Sequence, residues 1–360
     1  MEQFRVGIIG ATGMVGQRFV LLLKDHPWFT VTCLAASSRS AGKTYREATQ
    51  GRWAFEAPVP EKIANLPVMD AAQVEKIAPL VDFIFCAVDM KKDEVLALEE
   101  RYAKAEIPVI SNNSANRMVP DVPMMIPEIN GDHAGIIKAQ RERLGTKRGF
   151  IAIKPNCSIQ SYVPALWPLM DFEPYQVIAC TYQAISGAGK TFASWPEMVD
   201  NVIPYIGGED EKSEKEPLKI FGTVGEKGIE LAAWPVISAQ CLRVACSDGH
   251  MAAVSVGFRK KPTIPQILER WENAVPATQG LGLPSSPAKF LYYFTDPARP
   301  QTRLDRDYEN GMGITIGRLR EDAVLDYKFV ALSHNTLRGA AGGGVLSAEY
   351  LCKLGYITPQ

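Results

Sequence analysis

Phe4-Arg5-Val6-Gly7-Ile8-Ile9-Gly10-Ala11-Thr12-Gly13-Met14-Val15-Gly16 is the stretch on which the fold turns. Its first six residues are an apolar run of strand length. The run that follows, Gln17-Arg18-Phe19-Val20-Leu21-Leu22-Leu23, continues as a helix. A strand that turns through spaced glycines into a helix lets the backbone approach a pyrophosphate, whose charge then rests on the unpaired amides of the helix N-terminus. The spacing is G-x-x-G-x-x-G rather than G-x-G-x-x-G. A plain tight turn is the competing reading, and the strand before and helix after it favour a dinucleotide. Gly10, Thr12, Gly13, Met14 and Val15 are the contacts this predicts.

Strand and helix keep alternating outward from this motif. Thr30 to Ala36 reads as a second strand, Asp82 to Val88 as a buried one, Lys91 to Ala105 as a charged helix without strong caps, and Pro108 to Ser111 as another strand. Such alternation with right-handed crossovers implies a Rossmann-type, doubly wound parallel sheet whose ligand lies off the carboxyl ends of the strands. Cys86 and the run Ser111-Asn112-Asn113-Ser114 fall at those ends, so Cys86 and Ser114 are candidate cofactor contacts. An NAD-preferring site would carry Asp or Glu after the second strand, to hold the ribose 2′-hydroxyl. This chain has Ser37-Ser38-Arg39-Ser40 there, three hydroxyls and a guanidinium. That set suits the 2′-phosphate of NADP, with Arg39 as the charge partner. The pair Asn116-Arg117 follows, and Arg117 either binds an anionic substrate group or ties down its loop. Gly131 to Leu144 reads as a polar helix.

A second centre is Lys154-Pro155-Asn156-Cys157-Ser158, fed by the strand-like run Gly149 to Ile153. Asn156 and Cys157 read as the opening of a helix. A cysteine at a helix N-terminus has its thiol pKa lowered by unpaired amides and the macrodipole, which makes it a nucleophile at neutral pH. The same amides and the Asn156 side chain would bind an oxyanion on the carbonyl it attacks. The bland alternative is a structural thiol. Gln176 to Ile185 alternates like a strand and ends in Ser186-Gly187-Ala188-Gly189-Lys190, a backbone-exposing loop whose spacing is not that of a P-loop. Gln183 at its end would orient a substrate carbonyl, or lie on the surface as an ordinary amide. Glu209 and Lys212, three apart, would share one helical face, in a charged run that also reads as a solvated helix start. Arg243 and His250 lie on two strand-like segments joined by a short turn, so they can converge. Arg243 suits a carboxylate, and His250 suits acid/base work. His334 ranks second among the histidines. Cys246 has no helix N-terminus beside it. The run from Ser333 to Gly344, with Asn335 and Thr336, is rich in small residues that permit close packing before a final helix.

Composition bounds the rest. The chain has 360 residues, enough for two domains, and 46% hydrophobic content, enough for real cores. A formal net charge of -1 without a large basic or acidic block argues against nucleic acid or a membrane surface as partner. None of the seven cysteines forms a Cys-x-x-Cys pair and the four histidines do not cluster with them, so no metal site and no disulfide framework is expected. No signal-peptide or transmembrane run is evident, and a reduced cytoplasm is the expected setting.

These motifs together resemble, end to end, the aspartate-β-semialdehyde dehydrogenase family, in the branch seen in archaea, fungi and some bacteria. The resemblance rests on the runs 10–16, 38–43, 111–114, 155–158, 183–189, 243–250 and 335–341. It implies a Rossmann-type NADP domain over 1–153, completed by a C-terminal helix at 338–360, and an α+β catalytic and dimerisation domain over 154–337. It implies that Cys157 forms an acyl-thioenzyme, that His250 is acid and base, and that Arg243, Gln183 and Glu209 contact the amino acid. Arg117 and Lys212 would hold phosphate, with Asn116 beside them. Ser186, Gly187, Asn335 and Thr336 would reach the cofactor, and the enzyme would form homodimers or homotetramers. The implied reaction is NADPH-dependent reduction of L-aspartyl-4-phosphate to L-aspartate 4-semialdehyde, a step toward lysine, threonine and methionine. Malonyl-coenzyme A reductases resemble the same branch, and N-acetylglutamyl-phosphate reductase uses similar parts. A non-catalytic NADP-binding paralogue is the third reading.

Overall fold

The computed structural model describes residues 3–360. Six strands form a parallel sheet: β1 (Phe4–Ile9), β2 (Phe29–Ala36), β3 (Val68–Asp70), β4 (Phe83–Cys86), β5 (Val109–Ser111) and β6 (Ile151–Ile153). Their order is β3-β2-β1-β4-β5-β6, so the strand order reverses between β1 and β4. That reversal opens the crevice in which doubly wound sheets hold ligands. Helix α1 (Met14–Leu23) leaves β1 through the glycine turn, and its N-cap Gly13 supplies no side-chain cap, which leaves the first amides open to a ligand. Gly16 is required by close packing, since a Cβ there would lie 2.2 Å from the Gly10 carbonyl oxygen. Helix α2 (Lys92–Lys104) is better capped than its sequence suggests, because the Glu94 carboxylate accepts the Lys91 N–H at 3.2 Å. The segment after Gly131 is not one helix. It is a 3-10 run to Ile136, followed by an α-helical turn pair, Ile137–Leu144.

The chain then enters the short helix α3 (Ile159–Leu166), which Pro164 interrupts without ending. A seven-stranded mixed sheet follows, built from β7 (Pro174–Gln183), β8 (Val202–Ile203), β11 (Val236–Val244), β12 (His250–Phe258), β13 (Leu291–Phe294), β14 (Ile314–Glu321) and β15 (Tyr327–Ser333). A small ribbon, β9 (Thr223–Val224) and β10 (Ile229–Glu230), stands apart. The sheet order is β13-β14-β15-β12-β7-β11-β8. Period-2 alternation divides β7 between two environments: Val177, Ala179, Thr181 and Gln183 are buried, while Ile178 and Tyr182 remain 48% and 38% exposed. The longer helices of this half are α4 (Glu209–Ile220), α5 (Ile264–Glu272) and α6 (Gly342–Lys353).

Two apolar cores flank the parallel sheet. One runs from Ile9, Ile84 and Val109 through Tyr162 and Leu166 to Val177, Val254 and Phe329 of the mixed sheet, so the two halves share a continuous interior. The other packs Val6, Ile8, Phe83 and Phe85 against Phe19 of α1 and Val345, Leu346 and Leu351 of α6. The C-terminal helix therefore lies on the first sheet. Arg338, just before α6, is anchored by Glu128, with one bond of 3.0 Å and another of 2.5 Å, and by the Met312 carbonyl at 2.9 Å. Both charged side chains are essentially inaccessible. Removing one partner leaves an uncompensated buried charge, so Arg338→Met is expected to cost about 3–5 kcal/mol. Urea unfolding at neutral pH measures this, and a loss under 1 kcal/mol would contradict it.

Candidate active site

The turn Asn156-Cys157-Ser158 leaves β6 and precedes α3, whose first helical residue is Ile159 rather than Asn156. One face of α4 grips this turn. Glu209, Ser213 and Glu216 are four and three residues apart, so they lie on one stripe of the helix, and all three are buried. The Glu209 carboxylate accepts the Asn156 carboxamide N–H at 3.0 and 2.9 Å. The Ser213 and Ser158 hydroxyls lie 3.1 Å apart. Glu216 accepts the Asn156 backbone N–H at 2.6 Å and pairs with Arg117 at 2.9 Å. Glu209 also pairs with Lys212 at 2.7 Å and accepts from Gln183 at 3.3 Å. Burial would raise the Glu209 pKa, but Lys212, Asn156 and Gln183 together hold it below the usual range, so it is a carboxylate.

This arrangement corrects several expectations. The Asn156 carboxamide is committed at both ends, its N–H to Glu209 and its oxygen to the Ser158 N–H and hydroxyl, each at 2.7 Å. It is not free to bind an oxyanion. The Cys157 thiol is pushed up, not down: burial dominates, the Glu209 charge adds to it, and Lys154, Arg117 and Arg243 only partly oppose them. Gln183 is not a surface amide but 1% exposed. Lys212 keeps part of its side chain open to solvent, and Arg117 keeps a buried Nε without a partner. Asn116 gives its amide to buried Glu99 at 2.7 Å, which also binds Ser111 and Asn113. Glu99 was hidden in sequence inside a charged helix.

Arg243 and His250 converge on the turn after β7. Arg243 pairs in register with Gln183 across β11 and β7. A Cβ on Gly187 would lie 2.8 Å from Arg243 Nη1 and 3.0 Å from His250 Nε2, which places both groups around one point and explains the glycine. A Cβ on Gly339 would likewise lie 2.8 Å from the Cys157 Cβ, so the 337–341 turn covers the thiol. His250 is inaccessible. The Ala184 N–H donates to its Nδ1 at 3.0 Å, which assigns the proton of the neutral ring to Nε2, and that atom has no partner. Burial and then the Arg243 charge push the imidazole down to about 3. A group with that value is neither protonated nor a useful proton acceptor near pH 7. His334 is also buried, depressed to about 4 mainly by burial, and 3.7 Å from Asp307.

The cofactor surface is mixed. Ser37, Ser38 and Arg39 are exposed, and Arg39 has no ion-pair partner among the described residues, whereas Ser40 is buried beneath them. Cys86 is wholly buried with its thiol against Asn113, so its side chain cannot touch a cofactor. Ser114 and Gly187 are exposed. Asn335 is spent holding the Gly249 N–H and the Ser186 hydroxyl, both at 2.8 Å, and Thr336 accepts from Arg18 at 3.1 Å. Asn112, at the end of β5, has both carboxamide atoms buried and unpartnered. Open amides in the first turn after Gly13 and this orphan amide, at the carboxyl edge of the sheet, fit a nicotinamide dinucleotide. A cavity of about 160 Å³ lies between α1 and the Ser186–Phe192 segment, lined by Met14, Arg18, Phe55, Lys190 and Asp248. Among the described residues, no cluster of His, Cys, Asp or Glu could hold a metal ion.

A dinucleotide fold joined to a half-buried cysteine and a fixed, buried imidazole is the arrangement of an oxidoreductase. Residues 5–136 match the semialdehyde dehydrogenase NAD binding domain, and residues 166–338 match the semialdehyde dehydrogenase dimerisation domain. The chain belongs to the semialdehyde dehydrogenase family. The aspartate-semialdehyde dehydrogenases of Archaeoglobus fulgidus and Schizosaccharomyces pombe are 42% and 43% identical to it, each over 98% of both chains. The crystal structure of the Candida albicans enzyme with NADP is 35% identical, with a TM-score of 0.88, and covers 99% of this chain and 100% of that one.

The depressed imidazole makes a sign-definite prediction. Between pH 6.5 and 3 the unfolded chain binds a proton at residue 250 that the folded chain does not, so this group's contribution to stability is present above pH 6.5 and lost on acidification. The His250 ring resonance is expected not to titrate between pH 5 and 8 by NMR. A midpoint near 6.5 would contradict the buried neutral ring.

Proposed function

We propose that this chain reduces L-aspartyl-4-phosphate to L-aspartate 4-semialdehyde with NADPH, through a thioester on Cys157. The observation that carries the reading is the set of half-buried Cys157 and buried Arg243, Gln183, Glu209 and His250 in a chain 42% identical, over nearly its whole length, to an aspartate-semialdehyde dehydrogenase. Arg243 binds the substrate carboxylate, and Glu209 with Gln183 receives its ammonium and carbonyl. Arg39 holds the 2′-phosphate of the cofactor. Arg117, through its unpartnered Nε, and Lys212 receive the phosphate that leaves.

The chemistry needs little proton traffic at His250. The Cys157 sulfur, as thiolate, attacks the acyl carbon, and the bond to phosphate breaks. Bound NADPH supplies the hydride that reduces the thioester carbonyl. The resulting oxyanion re-forms its C=O bond and expels the thiolate, so atoms and charge balance without a proton leaving the imidazole. His250 then acts as a fixed Nε2–H donor to that oxyanion, the role first assigned to Asn156. Cys157→Ala removes the covalent route, and the loss in turnover is expected to exceed the roughly 10²–10⁴-fold attached to an acid–base group. In the reverse direction, NADP reduction by aspartate semialdehyde is expected to require inorganic phosphate. Turnover by Cys157→Ala, or equal rates with coenzyme A in place of phosphate, would overturn the reading.

The setting is the cytoplasm, and the described residues contain no helix long and apolar enough to cross a membrane. The open face of the mixed sheet, with Ile178, Tyr182 and Val236 at 48%, 38% and 67% exposure, supports a homodimer formed by a second copy of the chain. Ile178→Asp is expected to shift sedimentation toward monomer. An unchanged dimer would place the interface elsewhere.

A further inference from the structure

The cations around Cys157 outnumber the carboxylates that neutralise them. Two carboxylates face the turn, Glu209 and Glu216. Each is paired with one cation, Lys212 at 2.7 Å and Arg117 at 2.9 Å. Two buried cations, Arg243 and Lys154, have no carboxylate within 4.0 Å among the described residues. Arg243 faces the substrate pocket beside His250 and Gly187. Lys154 does not. It is 3% exposed, and its ammonium has a single hydrogen-bond acceptor, the carbonyl of Pro155 immediately before the Asn156–Cys157 turn. Its side chain also packs on the cover of the thiol. A Cβ on Gly343 would lie 3.4 Å from Lys154 Cδ, and one on Gly339 would lie 2.8 Å from Cys157 Cβ. Residues 339 and 343 lie on either side of a break in the helix at Ala340, so lysine and cysteine lie under adjacent parts of one covering segment.

A buried ammonium without a counter-ion is costly, and persists where something nearby supplies negative charge. We propose that the missing counter-ion is the Cys157 sulfur itself, and that Lys154 is a positioning residue which holds it as thiolate. The proposal rests on Cys157 being the nucleophile. It assigns the sulfur's activation to a fixed cation beneath it, where neither a free helix N-terminus nor the depressed imidazole supplies it. The groups facing Lys154 are Arg117, Cys157, Glu216 and Glu209, and those facing Cys157 are Glu209, Lys154, Arg117 and Arg243. Burial, with Arg117, brings the lysine down to about 7 even though the Cys157, Glu216 and Glu209 charges oppose them, so the ammonium depends on the negative charge around it. Lysine and thiol therefore titrate as a unit. Both are protonated at low pH, the proton left after the first loss is shared between nitrogen and sulfur, with the ammonium–thiolate form the reactive one, and an amine beside a thiolate remains after the second.

The test reads the thiol without any substrate. Wild-type protein and Lys154→Met, free of cofactor, are alkylated with iodoacetamide from pH 5 to 10, and modification of the Cys157 peptide is followed by mass spectrometry. An opposite charge within a few ångströms lowers a pKa by about one to three units, so the variant's profile is expected to move up by at least one unit and its rate at pH 7 to fall about tenfold or more. A folded Lys154→Met with an unchanged profile would overturn the proposal. Should that variant not fold, the wild-type protein decides. Linkage is reciprocal, so capping Cys157 with methyl methanethiosulfonate must lower the titration of the Lys154 ammonium, read by ¹⁵N NMR. No movement there overturns the proposal as well. A failed phosphate-dependent assay with an intact alkylation shift would instead remove the substrate assignment and leave the pair standing.

Discussion

The Asn156–Cys157–Ser158 turn is held by one stripe of one helix. Glu209, Ser213 and Glu216 on α4 reach, respectively, the Asn156 side chain, the Ser158 hydroxyl and the Asn156 backbone. A reacting sulfur must be held within a fraction of an ångström, and a three-residue turn has no rigidity of its own. The helix supplies it, and in doing so brings two carboxylates into a space nearly closed to water. Charges there cannot be left to solvent. Arg117 and Lys212 answer them directly, and Lys219 carries the far end of α4 onto the carbonyls of Arg117, Val119 and Val122 at 2.8, 2.6 and 2.8 Å. The loop that carries Arg117 is thus fastened to the helix that orients Cys157.

The same stripe explains why local reasoning about the thiol fails. A helix N-terminus lowers a thiol pKa when its amides are free and solvent is near. Here the Asn156 N–H is taken by Glu216, the Ser158 N–H by Asn156, and the Glu209 carboxylate stands close by. Burial then dominates. Reactivity must come from discrete cations placed around the sulfur, a tertiary property that depends on Lys154, Arg117 and Arg243 arriving from three separate segments.

What was legible in the sequence follows the same division. The β1–glycine–α1 unit could be read because its signals are local: an apolar run, small residues, an apolar helix. The two faces of β7 could be read because its residues alternate in step with the pleat. The charged run at 209–216 reads as a solvated surface, since nothing in its composition distinguishes a carboxylate facing water from one facing Asn156. Cys86 and Asn335 are placed correctly at the strand ends and turns that surround the cofactor crevice, yet one is sealed in the sheet and the other is used up bridging Ser186 to Gly249. Sequence locates such residues. It does not say whether their polar atoms are already occupied.

The neutral imidazole at position 250 fits this economy of fixed charge. A ring that titrated near pH 7 would change the charge of the cluster with every proton, and Arg243 beside it would oppose each one. Tying Nδ1 to the Ala184 amide removes that variable and leaves a single buried N–H without a partner. Hydride addition to a thioester creates an oxyanion, and the collapse that follows consumes it, with no net proton at either stage. A preorganised donor is enough for such a cycle and needs no recharging between its steps. The donor proposed here would work only if its ring cannot turn, and the strand β12, starting at His250 itself and paired with Ser333, supplies that restraint.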